Sequence, residues 1–358
     1  MNAKLVEDIA NAVLYEGYML YPYRPSSVKN RQRWNFGVVY PKAYSEMQNG
    51  TDNWLMQTEC LAKANCSAEL NVKVRFLQAV ARTVGELKTP LDEWPVSIEN
   101  NLEPDFRVVQ TLHVGDQVFQ TWQEAIECEI LLPAIPFADS VSVHRSQVLT
   151  FPGGRDLEPV RGADGGIAGL IVRTKEPIAA KVDVAVAPVD DGLFKITVRI
   201  LNITVTQGPH SSSRDFALMQ SLLSAHTILG INGGEFISLV DPPDELKEIV
   251  SQCNNVGTWP VLVGEDGQRD AMLSSPIILY DYPQIAPESA GDLFDGTEID
   301  EILALRILAL TEEEKREMRQ GDERTRQILE RTESLPAEQL LKLHGTLRGL
   351  RPTSEGRQ

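Results

Sequence analysis

The stretch Val182–Val205 reads VDVAVAPVDDGLFKITVRILNITV and indicates the class of fold. Apolar residues alternate with other residues on both sides of the pair Asp191-Gly192. Alternation with a period of two is typical of half-buried strands, and an Asp-Gly pair is typical of tight hairpin turns. The stretch therefore predicts two antiparallel strands joined at Gly192.

The same period extends from about Trp54 to Thr206, for example in NVKVRFLQAV at residues 71–80. Glycine-containing turn signals separate the apolar runs, which gives roughly eight strands. No helix-length segment lies between the runs, although parallel strands would require such crossovers. We expect an α+β protein whose antiparallel sheets pack as a sandwich or a partial barrel.

The chain divides into four predicted sections. Residues 1–50 combine a helix with an aromatic and basic arm, and residues 51–206 form the antiparallel β domain. Residues 207–286 form a small α+β module, either separate from or continuous with the β domain. Its helix is SSSRDFALMQSLLSAHTIL, a second helix has Asp241 as N-cap, and a hairpin turns at Asp266-Gly267. Residues 287–358 form an acidic linker, C-terminal helices and a mobile tail, with Thr311 and Glu314 as a capping box and Gly321 as the helix stop.

The composition of the chain disfavours several classes of protein. The chain has 358 residues and a net charge of −17, which disfavours a dedicated nucleic-acid binder. It has no run of about 20 apolar residues, as a membrane span requires. The N-terminal segment carries acids at Glu7 and Asp8 and does not read as a secretory signal. We expect a cytoplasmic protein whose four cysteines are free thiols.

Catalytic motifs are incomplete. We find no P-loop, dinucleotide fingerprint, nucleophile elbow or zinc knuckle, so neither a cofactor nor a metal site is expected. Glu127 and Glu129 would share one strand face, a geometry that a carboxylate pair can use. His226 is expected to be a core histidine on the apolar side of a helix. An enzyme of unknown reaction remains an alternative, with a site assembled across the β layer from His113, Glu127, His144 and Arg145.

The segment Tyr15–Trp34, YEGYMLYPYRPSSVKNRQRW, is the most distinctive feature. It holds four tyrosines within nine positions, and no acid occurs between Glu16 and Glu46. Tyrosine and tryptophan concentrate at protein interfaces, arginine and lysine pair with carboxylates, and the prolines disfavour helix. The predicted partner-binding residues are Tyr18, Tyr21, Tyr23, Arg24, Lys29, Arg31, Arg33 and Trp34.

Other readings of the charged segments remain open. The arm is alternatively structural, with tyrosines laid over the β layer, or a platform for single-stranded RNA whose bases stack on aromatic rings. Residues 288–323 contain twelve acidic and four basic residues, a net charge of −8. This section is either a solvated helical face or an acidic docking arm.

Three long phrases carry a family resemblance: YEGYMLYPYRPSSVKNRQRWNFG, AHTILGINGGEFISLVDPP and SSPIILYDYPQIAPESAGDLFDGTEIDEILALRILALTEEEKREMR. They resemble an uncharacterised bacterial family encoded beside uptake nickel–iron hydrogenase structural and maturation genes. The resemblance covers most of the chain and transfers no catalytic residue. It implies an accessory role, with a hydrogenase subunit or maturation factor as partner. The expected function is a non-enzymatic interaction protein that assists assembly or stability of a metalloenzyme complex.

Overall fold

The computed structural model describes residues 3–18, 23–24, 35–94, 104–138, 141–206, 213–284, 300–321 and 323–336. Antiparallel β-sheet dominates this part of the chain and helices lie at both ends, so the α+β prediction is confirmed. The helices are α1 (Ala3–Tyr15), α2 (Lys42–Met47), α3 (Arg214–Met219), α4 (Lys247–Ser251), α5 (Asp300–Leu308), α6 (Glu312–Arg319) and α7 (Glu323–Glu333). The strands are β1 (Leu55–Leu91), β2 (Phe106–Val109), β3 (Thr111–Val114), β4 (Gln117–Gln120), β5 (Trp122–Leu131), β6 (Ile135–Pro136), β7 (Val143–Phe151), β8 (Gly154–Arg161), β9 (Ile167–Lys175), β10 (Ile178–Asp190), β11 (Leu193–Asn202), β12 (Leu223–Phe236), β13 (Trp259–Leu262) and β14 (Ala271–Ser275).

Strand β1 organises the sheet. It is 37 residues long, and the main strand order is β13-β14-β12-β1-β11-β10-β7. Its first half pairs with β11 over residues 55–63, and its second half pairs with β5 over residues 73–82. An irregularity between Ala64 and Glu69 separates the two halves in the pairing with β12. Because one strand serves two sets of partners, the sheet folds over a shared core without closing into a barrel.

The buried residues of the core follow the alternation of apolar residues seen in the sequence. In β10 and β11, every second residue is buried, including Val182, Val184, Ile196 and Val198. The predicted hairpin is confirmed, since β10 and β11 pair and Gly192 has a φ of +64° that glycine adopts without strain. The hairpin of β13 and β14 around Gly267 is confirmed as well.

The helix predicted over SSSRDFALMQSLLSAHTIL is wrong for most of its length. Helix α3 ends at Met219, and β12 begins at Leu223, so Leu223 and His226 are strand residues. β12 lies between β14 and β1, and its first nine residues are all buried. A strand buried on both faces loses its polar alternation, and periodicity cannot then separate it from a buried helix.

Two predicted helix starts have different outcomes. Asp241 caps no helix, because a 3-10 turn begins only at Asp244 with Pro243 before it. The capping box of α6 is confirmed, since Glu314 N donates to Thr311 Oγ1 at 3.3 Å and Thr311 N donates to Glu314 Oε2 at 2.8 Å. Gly321 follows the C-cap residue Gln320, as predicted.

A helical cap, which we define as α1 with α5, α6 and α7, covers the outer face of β1 and β12. Helix α1 packs on β12, β13 and β14 through Val6, Ile9 and Val13. The C-terminal helices pack on the same face through Leu303, Ile307, Met318, Ile328 and Leu329. Among the described residues, no helix combines the length and apolarity needed to cross a bilayer.

Candidate interaction site

The described part of the predicted arm faces the interior. Tyr18 and Tyr23 are 3% and 1% exposed and pack with the C-terminal helices. Tyr18 Oη donates a 3.0 Å hydrogen bond to the Glu124 carbonyl. Arg24 pairs with Glu314 at 3.0 Å and with Glu317 at 3.7 Å. These three residues connect the sheet with the C-terminal helices. Their contacts agree with the structural alternative, in which tyrosines lie over the β layer.

The other predicted partner-binding residues are not described. Tyr21, Lys29, Arg31, Arg33 and Trp34 lie outside the described residues. Their roles in binding a protein partner or RNA stay predictions. Trp34 directly precedes Asn35, which lines the cleft described below.

A cluster of charges lies between the cap and the sheet. Arg75, whose side chain is 4% exposed, pairs with Glu7 at 3.3 Å and with Glu127 and Glu129 at 3.1 Å each. The shared strand face of Glu127 and Glu129 is therefore confirmed. Arg324 of α7 also pairs with Glu127. The cluster joins the first and last described helices to β1 and β5.

Glu127 is the acceptor at the centre of this cluster. Tyr15 Oη donates to it at 3.0 Å, and the Arg324 guanidinium lies 4.0 Å above the Tyr15 ring. Burial acts to raise the pKa of Glu127, but hydrogen bonds from Arg324 and Tyr15 and the charge of Arg75 outweigh it, so the pKa is lowered. Burial raises the pKa of Tyr15. A carboxylate held charged by two arginines is suited to anchoring and poorly suited to proton transfer near neutral pH.

The residues of the enzyme alternative are not brought together. Glu127 lies in the charge cluster, whereas His113 is exposed on the separate β3–β4 hairpin. His144 and Arg145 are consecutive and exposed on β7, so their side chains point to opposite faces of that strand. Within the described ranges, no group of three or more His, Cys, Asp or Glu side chains is arranged to hold a metal ion.

His226 is a core histidine, as expected, although it lies on a strand. It is fully buried, and its Nδ1 lies 2.9 Å from the Ser224 carbonyl. Burial lowers its pKa to about 4, and the charge of Arg75 acts in the same direction. The four cysteines are free thiols, as expected. Burial raises the pKa of the Cys60 thiol, which makes it unreactive.

A polar cleft of about 280 Å³ lies at the start of β1 and β13. Its lining includes Tyr40, Asp52, Arg214, Trp259 and Pro276. Gly37 also lines the cleft, and its position requires a residue without a side chain. Gly37 has a φ of +55°, and a Cβ there would lie 2.6 Å from the Pro276 Cβ.

Arg214 is fixed in the cleft by neighbouring polar groups. Its Nη1 donates to Asp52 Oδ2 at 2.9 Å, and its Nη2 donates to Tyr40 Oη at 2.7 Å. Burial raises the pKa of Tyr40 to about 12, with Asp52 adding to the rise and Arg214 opposing it. The phenol is therefore neutral at physiological pH and accepts from the cation. The Arg214 side chain remains 60% exposed, so its charge is accessible from solvent.

Several exposed apolar side chains belong to the cleft lining or lie within four residues of a lining residue along the chain. We define the cleft rim as Phe36, Trp259, Ile278 and Tyr280, which are 44%, 45%, 71% and 82% exposed. Trp259 lines the cleft, Phe36 adjoins Gly37, and Ile278 and Tyr280 follow Pro276 along the chain. Aromatic residues and arginine are enriched in protein–protein interfaces. The rim and Arg214 together form the candidate interaction site.

Sequence reasoning did not select the rim, although one signal was present. The run Ile277–Tyr280 has four consecutive apolar residues in what reads as an extended segment. Such a segment sends alternate side chains to opposite faces, so two apolar residues must face away from the other two. Which pair is exposed depends on the helix packed against the segment, which local sequence does not reveal.

Comparison with known proteins does not assign this chain to a family. No protein-family model matches the chain, and no curated protein shows significant sequence similarity to it.

Proposed function

We propose that the protein is a non-enzymatic accessory protein that binds another protein through the cleft rim and Arg214. It would thereby assist the assembly or stability of a metalloenzyme complex. The observation that supports this function is the exposure of Trp259 in the cleft that the accessible Arg214 also lines, together with the exposure of Tyr280 four residues after the lining residue Pro276. Tryptophan, tyrosine and arginine are the residues most enriched among those that dominate binding energy.

The partner is proposed from the family resemblance alone. A subunit or maturation factor of a nickel–iron hydrogenase is the proposed partner, and the cytoplasm is the proposed location. The cleft rim and Arg214 suggest how such a partner would be recognised. Large rigid rings lose little conformational entropy on binding, and a solvent-accessible guanidinium offers a fork for a carboxylate of the partner.

Co-purification tests this function. A tagged full-length chain is recovered from the native organism, and hydrogenase proteins are identified by mass spectrometry. The variant Trp259→Ala/Tyr280→Ala should retain about tenfold less hydrogenase protein than the wild type. The matched control Val108→Ala/Val148→Ala changes two exposed residues away from the cleft, 58% and 56% exposed, and should retain the wild-type amount.

Two outcomes would contradict the proposal. The first is recovery of the wild-type chain without any hydrogenase subunit or maturation factor. The second is equal recovery of these proteins by the rim variant and the control, which would place the binding surface elsewhere.

A further inference from the structure

The segment Ile277–Tyr280 has the side-chain alternation of a β-strand but pairs with no other described strand. Ile277 and Leu279 pack against the apolar cluster formed by α1 and the end of the sheet. Ile278 and Tyr280 alternate with them and face solvent, at 71% and 82% exposure. This period of two is the signature of extended backbone, yet the segment belongs to none of the described ladders.

Three consecutive backbone amides of this segment have no hydrogen-bond acceptor among the described residues. Across the part of the chain that the structure describes, the amides of Ile278, Leu279 and Tyr280 donate to no acceptor. The flanking groups do have partners, since Ser275 Oγ donates to the Ile277 carbonyl at 2.7 Å and Tyr282 N donates to the Leu262 carbonyl at 2.8 Å. Unpaired backbone groups beside a sheet are a template for another strand.

The segment is also held in place. Asp281 Oδ1 accepts a 2.8 Å hydrogen bond from Leu262 N, and Asp281 Oδ2 accepts from Ser238 Oγ. At the other end, Pro276 is buried against Gly37. Because both ends and one face are fixed, little ordering entropy remains to be lost when another chain binds.

Strand β7 shows how an open edge of the same sheet is protected. It is nine residues long and ends the main strand order. Its exposed residues include His144 and Arg145, and Arg145 Nη1 donates to the His144 carbonyl at 3.0 Å. Charged side chains on an edge discourage strand addition. The Ile277–Tyr280 segment carries no charged residue.

We propose that an extended segment of the partner protein adds to Ile278–Tyr280 as a β-strand. Main-chain hydrogen bonds to this segment would provide affinity, and apolar β-branched or aromatic residues of the partner would contact Ile278 and Tyr280. This inference rests on the proposed function, because the added strand belongs to the protein bound at the cleft rim.

Residue-resolved amide hydrogen exchange on the full chain, alone and with its co-purified hydrogenase partner, tests strand addition. At least one of the Ile278, Leu279 and Tyr280 amides should exchange about tenfold or more slowly in the complex. The amides of His144 and Arg145 are the control and should not change. A retained partner with no slowing at these three positions overturns strand addition and leaves the proposed function standing. A wild-type chain that retains no partner overturns both.

Proline substitution supplies a second test. Successive amides of an extended chain point to opposite edges, so Ile278→Pro and Leu279→Pro each remove a donor from a different edge. One of the two should reduce partner recovery about tenfold, whereas the control Val148→Ala, at an exposed residue of β7, should stay near the wild type. Wild-type recovery by both proline variants overturns strand addition. If thermal unfolding shows that either proline variant is not folded, the exchange result decides.

Discussion

Two regions of this molecule place aromatic rings beside arginine, and they differ in exposure. In the cap region, Tyr15, Tyr18 and Tyr23 are each at most 6% exposed and pack between the sheet and the C-terminal helices. At the cleft rim, Trp259 and Tyr280 are 45% and 82% exposed. Rings of the same chemistry therefore stabilise the fold in one region and are available to a partner in the other.

The arginines follow the same division. Arg75 is enclosed by three carboxylates beneath the cap, whereas Arg214 has one carboxylate and two tyrosine hydroxyls as neighbours and an open side. A buried cation depends on its partners for charge compensation, because water cannot replace them. An exposed cation retains water as an alternative partner. Substitutions matched between the two regions should therefore have unequal effects on stability.

Matched tyrosine substitutions should give the largest difference. Tyr23→Ala removes a ring that is 1% exposed and should lower the free energy of unfolding by about 4 kcal/mol. Tyr280→Ala removes a ring that is 82% exposed and should change it by less than about 0.5 kcal/mol. Urea unfolding followed by circular dichroism measures both values. Similar losses in the two variants would show that the division by exposure is wrong.

Matched arginine substitutions should give the next largest difference. Arg75→Met leaves three carboxylates without their shared cation and should cost about 3 kcal/mol of unfolding free energy. Arg214→Met breaks the hydrogen bonds of a side chain that is 60% exposed, and a loss of about 1 kcal/mol is expected. The same urea titration compares them. A larger loss for Arg214→Met would mean that the cleft contributes more to the fold than the charge cluster does.

Acid should weaken the cap region through His226. Its folded-state pKa of about 4 lies below the ordinary value of 6.5, so the unfolded chain binds the proton first as pH falls. The contribution is present above pH 6.5, and about 2 kcal/mol of it should be lost between pH 7 and pH 5. His226→Gln should lack this loss, whereas the exposed control His144→Gln should retain it. Parallel pH profiles for wild type and His226→Gln would refute the assignment.

Helix capping should give the smallest difference. Thr311→Ala removes the side chain that caps α6 in the cap region and should cost about 1 kcal/mol. Ser213 occupies the N-cap position of α3 beside the cleft but makes no side-chain capping bond, so Ser213→Ala should cost less than about 0.3 kcal/mol. Thermal unfolding of both variants measures the two losses of stability. A Ser213→Ala loss equal to that of Thr311→Ala would contradict the observed cap geometry.

Local patterns predicted the features whose causes are local. The hairpin at Gly192 follows from an Asp-Gly pair between alternating strands, and the α6 capping box follows from Thr311 and Glu314 three residues apart. Strand β12 was missed because both of its faces are buried, one against α1 and the other in the main core, so its sequence lacks the polar alternation that marks a half-buried strand.

The candidate interaction site shows the same limit of prediction from local sequence patterns. The sequence predicted an aromatic and basic surface at the arm, and the described arm tyrosines are buried by helices more than 270 residues further along the chain. The apolar run Ile277–Tyr280 was visible in the sequence, but which of its residues are exposed was not.

The sequence by itself determined the α+β class, the antiparallel pairing and the residue types available for recognition, because alternation and turn chemistry act over a few residues. Only the tertiary structure decided which aromatic rings are buried and which are exposed. That choice depends on which distant elements pack over each ring: α5, α6 and α7 cover Tyr18 and Tyr23, whereas Tyr280 remains largely exposed to solvent.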